Sequence, residues 1–103
     1  MSNALLYPDW KENVVFSPGG PQPTVLLETD QIKVVVAGLE AGRKIPPHPE
    51  SQGVYHFLEG RGWMIVDGER LPVGPGATVL VPPGATRGIE AETRLAFLAV
   101  RVA

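Results

Sequence analysis

Cysteine is absent from this chain, so no disulfide framework, thiolate metal site or sulfur nucleophile is available to it. A surplus of positive charge is absent too. Nine Lys and Arg stand against eleven Asp and Glu, for a net charge of -2, and the basic residues are scattered without forming a stripe. The electrostatic footprint of a nucleic-acid binder is therefore missing, and no such partner is expected. Long apolar runs are missing as well. No stretch approaches the roughly 18 residues that span a bilayer, and Ala4-Leu5-Leu6 is too short for a signal-peptide core. No membrane partner is expected, and the expected compartment is the cytoplasm. Nor does any amphipathic helical period persist beyond a turn or two.

Punctuation is what the chain has in abundance. Twelve glycines and eleven prolines interrupt a sequence that is 44% hydrophobic, too many breakers for long helices and too much apolar content for disorder. With 103 residues there is material for one core and one domain. Residues 1–23 read as an N-terminal arm with Tyr7, Trp10, Val14, Val15 and Phe16 as its apolar groups and Ser17 to Pro23 as a breaker segment. The arm is expected to pack on the domain formed by residues 24–103 or on a partner subunit. From Thr24 onward, β-branched and aromatic runs bounded by Gly, Pro, Asp or Asn predict strands over Thr24 to Glu28, Ile32 to Leu39, Val54 to Glu59, Trp63 to Val66, Thr78 to Val81 and Arg94 to Val102. Asp67-Gly68 predicts a two-residue hairpin between Met64-Ile65-Val66 and the short Arg70-Leu71 segment. Glycines recur at the corners, where strands bend or need positive φ. The class is all-β, a sandwich or barrel of about eight or nine short strands, with Greek-key closure hiding its edges.

Two spacings are more specific. One is Gly42-x5-His48-x-Glu50 followed by Phe57-Leu58-Glu59-Gly60; the other is Gly76-x5-Pro82-x-Gly84-x2-Arg87. Over roughly residues 32 to 90 they resemble the two motifs of the cupin family. That family's first motif carries two histidines and a glutamate between glycines, and its second carries Gly, Pro, Gly and a histidine. The resemblance implies a double-stranded β-helix, a small jelly-roll barrel over residues 24–103 with one axial pocket and the N-terminal arm outside it. It also implies where metal ligands belong, and there this chain departs from the pattern.

His48 and Glu50 share a face because alternate strand residues do, and the resemblance turns that face inward. Glu50 stands in place of the family's second histidine, and carboxylate remains acceptable to Zn, Mn, Fe or Ni. The third ligand falls on Tyr55 or on Gly53, depending on whether Gly62 or Gly60 closes the motif, and neither supplies a carboxylate. In either register Tyr55 and Phe57 face in and His56 faces out. The fourth position holds Arg87, a permanent cation that repels metals. Glu50 and Arg87 face each other across the implied pocket, and an ion pair between them is weighed against two solvated rim positions. His48 is a pocket residue or one satisfied by backbone beside Pro47 and Pro49; Tyr55 is core packing or an acid–base group. Of the pairs Trp63 with Ile65 and Met64 with Val66, one is core and the other covers the barrel or meets a partner.

The leading functional expectation is a small single-domain cupin that binds a small polar or anionic molecule, with no metal cofactor. Arg87 would clamp an anionic group, His48 and Glu50 would hydrogen-bond the polar end, and Tyr55, Phe57 and Trp63 would form the apolar wall. The alternative is a metal-dependent cupin enzyme of the oxygenase, isomerase or lyase class, holding Zn, Mn, Fe or Ni through His48, Glu50 and His56. Without a metal, His48 or Tyr55 would be the catalytic acid or base. A third reading is a structural or regulatory dimer with a filled pocket. The arm's aromatics and outward apolar strand residues predict a homodimer.

Overall fold

The computed structural model describes residues 3–103, so the first two positions of the expected arm lie outside the described residues. One 3-10 turn at Trp10–Glu12 precedes nine strands: β1 Thr24–Glu28, β2 Ile32–Leu39, β3 Lys44–Pro49, β4 Gly53–Glu59, β5 Gly62–Val66, β6 Glu69–Val73, β7 Thr78–Val81, β8 Thr86–Ala91 and β9 Leu95–Val102. They pair antiparallel in two sheets of order β1-β2-β9-β4-β7 and β3-β8-β5-β6. The fold is an all-β double-stranded β-helix, with one core shared between the two inner faces.

Six strands lie where the β-branched and aromatic runs predict them. The remaining three, β3, β6 and β8, all belong to the four-stranded sheet. β3 contains Pro46, Pro47 and Pro49, and β6 contains Pro72. Both are edge strands, where a missing N–H need not break a ladder. β8 is diluted by Gly88, but that glycine is a packing requirement: a β-carbon there would stand 2.7 Å from the Ile45 carbonyl oxygen on β3. The Asp67-Gly68 hairpin forms as predicted, with both residues at positive φ (49° and 84°). Asp67 Oδ1 also accepts from the Thr86 amide at 2.8 Å, tying the hairpin to β8.

The arm packs against its own barrel. The Tyr7 hydroxyl donates to the Leu26 carbonyl at 2.7 Å. Phe16 lies over Gly38, where a β-carbon would come within 2.6 Å of its ring, and the Arg94 guanidinium sits 4.3 Å from the Phe16 ring centre while forking onto Glu40.

Register in the five-stranded sheet decides what lines the barrel. Paired residues share a face, so three inner rows run across β2, β9 and β4: Lys33, Arg101 and Gly53; then Val35, Ala99 and Tyr55; then Ala37, Phe97 and Phe57. One end of the interior is therefore charged, and the next two rows are apolar apart from the Tyr55 hydroxyl.

Candidate functional site

A cavity of about 440 Å³ lies between the two sheets. Lys33, His48, Glu50, Arg87 and Arg101 form its polar end, and Val35, Ala37, Ile45, Ile89, Phe97 and Ala99 supply apolar wall. Pro21 and Pro23, the end of the arm's breaker segment, contribute to the lining beside β1.

His48, near the end of β3, pairs in register with Arg87 on β8. Its Nδ1 lies 3.1 Å from the Pro46 carbonyl oxygen and its Nε2 lies 3.0 Å from Glu50 Oε2. Both neighbours accept, so the two contacts hold together only when each ring nitrogen carries a proton. Glu50 follows the last residue of β3, and its other carboxylate oxygen accepts from Arg101 Nη1 on β9. Burial pushes the Glu50 carboxyl upward, but hydrogen bonds from His48 and Arg101 outweigh it and hold the group below the usual glutamate range.

Arg87 is the unusual group. Its side chain is 1% exposed and crosses the interior from β8 to the opposite sheet, where a β-carbon on Gly53 would stand 3.0 Å from Nη1. Nη2 donates to the carbonyl oxygens of Glu50, at 3.1 Å, and Ala85, at 3.3 Å. Nε and Nη1 are buried without partners. The Tyr55 ring lies beneath the guanidinium, 5.9 Å from ring centre to Cζ. The expected ion pair between Glu50 and Arg87 does not form. Arg87 receives only the main chain of Glu50, because the Glu50 carboxylate turns to Arg101 and His48. Gly53 makes this possible, since the space its missing side chain leaves is where the guanidinium comes to rest.

The other site residues separate into those the fold brings together and those it does not. Tyr55 lines the cavity and is buried. Phe57 is fully buried behind it, packed on Phe97 at 5.7 Å between ring centres, and it is Phe97 that reaches the cavity wall. The expected cavity role of Phe57 is thus corrected to core packing. Trp63 is corrected as well: on β5 the buried alternates are Gly62 and Met64, which leaves Trp63 on the outer face beneath the Arg70 guanidinium at 4.7 Å. His56 also faces outward, its Nδ1 2.7 Å from Thr78 Oγ1. The set His48, Glu50 and His56 is therefore not assembled, since a strand cannot turn His56 and Tyr55 to the same side.

Lys33 and Arg101 are functional candidates that the motif spacings miss. Arg101 lies beyond the motif region, yet a signal for it exists: alternation from Leu95 through Phe97 and Ala99 ends on it, a cation on the inward face of an otherwise apolar strand.

These residues do not suit a divalent metal. Among the described residues no group of three or more His, Asp or Glu side chains is gathered, the third position of the family pattern holds Gly53 or Tyr55 according to register, and the fourth holds a guanidinium. The charges instead suit an anion: Lys33, Arg87 and Arg101 all line the cavity, and with Lys33 3.9 Å from Glu28 and Arg101 on Glu50, Arg87 is the cation left without a carboxylate.

Comparison with known proteins agrees with the fold. An uncharacterised protein of Methanocaldococcus jannaschii is 42% identical over 43 residues, which cover 42% of this chain and 34% of that protein, so the match spans about a third of the relative's length. A double-stranded β-helix protein from Klebsiella pneumoniae superposes with a TM-score of 0.84 at 24% identity, covering 99% of this chain and 90% of the other. A Thermotoga maritima protein described as a predicted oxalate decarboxylase superposes with a TM-score of 0.75 at 23% identity, covering 80% and 79%. At such identities the two structures speak for the fold alone. A family model of the cupin domain matches residues 35–101, and with most of its length inside that match, the chain belongs to the cupin family.

Proposed function

We propose that this cupin binds a small anionic molecule in its barrel cavity, using Arg87 in place of a metal as the positive centre. The observation that carries this reading is the Arg87 guanidinium, 1% exposed, with two unpartnered nitrogens and no carboxylate of its own. An unpaired buried charge is destabilising by several kcal/mol, and an anion at the polar end of the cavity relieves it. Lys33 and Arg101 add to the same field. No specific observation favours the metal-dependent enzyme.

The test is a thermal-shift screen of small acids, sugar acids and neutral sugars. Acids are expected to raise the melting point in proportion to saturation. Arg87→Lys is expected to bind them more weakly by about 1–3 kcal/mol, because a single mobile charge replaces a planar donor array. Shifts from neutral sugars only, equal in parent and variant, would make Arg87 a purely structural residue.

We also infer that the working unit is a homodimer joined through the outer face of the five-stranded sheet. One row across all five strands reads Leu27, Val34, Val100, Val54 and Leu80. Leu80 is 72% exposed. A sheet face left to water normally carries polar residues at such positions, whereas this uncharged row can meet its own copy without repulsion. Sedimentation at tens of micromolar is expected to give a dimer, and Val100→Glu a folded monomer. A monomeric parent would refute the dimer.

A further inference from the structure

The cavity's two ends differ in chemistry, and the difference selects among anions. Its charged groups all belong to one end, in or beside the row Lys33, Arg101 and Gly53, with Arg87 reaching the same glycine from the other sheet. Beyond that row lie Val35, Ala37, Ile45, Ile89, Phe97 and Ala99. The open volume comes partly from the small residues Ala37 and Ala99, which are at most 4% exposed and stand where larger side chains would close the interior.

Resting on the anion-site reading above, we infer that the ligand class is a monocarboxylic acid with an apolar body, held with its carboxylate among Lys33, Arg87 and Arg101 and its body between the sheets. A second carboxylate or a ring of hydroxyls would have to sit against these aliphatic and aromatic side chains, and a buried polar group without a partner is strongly unfavourable there. An alkyl or aryl body gains instead from leaving water.

Calorimetric titration of the full chain with straight-chain acids from acetate to octanoate, with benzoate, succinate and the matching straight-chain alcohols, tests this. Each added methylene is expected to tighten binding about fourfold until the cavity is full, with succinate weaker than butyrate and every alcohol weaker than its acid. Ala99→Leu is expected to remove the gain for the longer acids. Should that variant fail to fold, Ala37→Val serves the same purpose. If acetate or succinate binds and lengthening the chain brings nothing, the apolar-body inference is overturned while the anion site stands. A folded cavity-filling variant that keeps the full gain overturns the placement of the body. If no acid of any length binds, or alcohols bind as well as acids, the anion site itself falls and the inference with it.

Discussion

Arg87→Met is expected to give a protein that is more stable without ligand and no longer responds to carboxylates. Methionine fills a similar elongated space without a charge. The substitution removes a buried cation and its two unpartnered nitrogens, whose desolvation costs several kcal/mol in the folded protein. Against this stand the hydrogen bonds from Nη2. The Glu50 carbonyl keeps a donor, the Gly84 amide at 2.9 Å, so the loss falls mainly on Ala85 and amounts to about 1 kcal/mol. A net gain of up to about 3 kcal/mol in urea unfolding is expected. Binding moves the other way: loss of a charged hydrogen-bond partner corresponds to about a 10- to 150-fold drop in affinity. A variant destabilised by more than about 1 kcal/mol would mean that Arg87 chiefly ties the two sheets together. The sequence alone points to a different cost, that of stranding Glu50, but in the folded protein that cost belongs to Arg101, which holds the Glu50 carboxylate.

Much of the fold was legible in local chemistry, and the failures have local causes. Six strands announced themselves by β-branched runs, and Asp67-Gly68 could hardly be anything but a tight hairpin. β3 was legible only in the alternation of His48 and Glu50, and β6 only as the Arg70-Leu71 side of that hairpin, because proline argues against strands in general, yet is harmless on an edge, and edge status is a property of the finished sheet. β8 was hidden by Gly88, which only the closeness of β3 explains. In the site, strand alternation placed Tyr55 and His56 on opposite sides, as they stand. Alternation says which side a residue faces but not its depth. Phe57 faces inward and is still beyond reach of the cavity, because Phe97 lies in front of it. Trp63 depended on choosing between two faces of β5, a choice that the neighbouring glycine and methionine could not settle without the second sheet. The partner of Glu50 was invisible for a further reason. Arg101 comes from the last strand, 51 residues away, and nothing in a spacing motif weighs one long-range cation against another.

Restoring the metal site is expected to have the largest effect of all. In the register that Gly60 closes, Gly53→Glu combined with Arg87→His would return carboxylate and imidazole to the third and fourth positions of the family pattern, beside His48 and Glu50, which already approach to 3.0 Å. The two changes depend on each other. With Arg87 present, a side chain at position 53 meets Nη1 at 3.0 Å, so Gly53→Glu alone is expected to form an ion pair and exclude a divalent ion. Once the guanidinium is gone, the remaining close contacts are the Val100 carbonyl at 3.2 Å and the Tyr55 ring at 3.3 Å, which shifts of a few tenths of an ångström relieve. Two nitrogen and two carboxylate ligands then converge, a set that Zn, Mn, Fe and Ni accept. Elemental analysis of untagged protein is expected to find no stoichiometric transition metal in the parent or in Gly53→Glu, and about one ion per chain in the double variant. One equivalent in the parent, lost in His48→Ala, would refute the replacement of metal by arginine. A double variant that folds and stays empty would mean that Arg101, by holding Glu50, keeps that carboxylate from turning inward, and Arg101→Gln on the double background would then be expected to recover the ion.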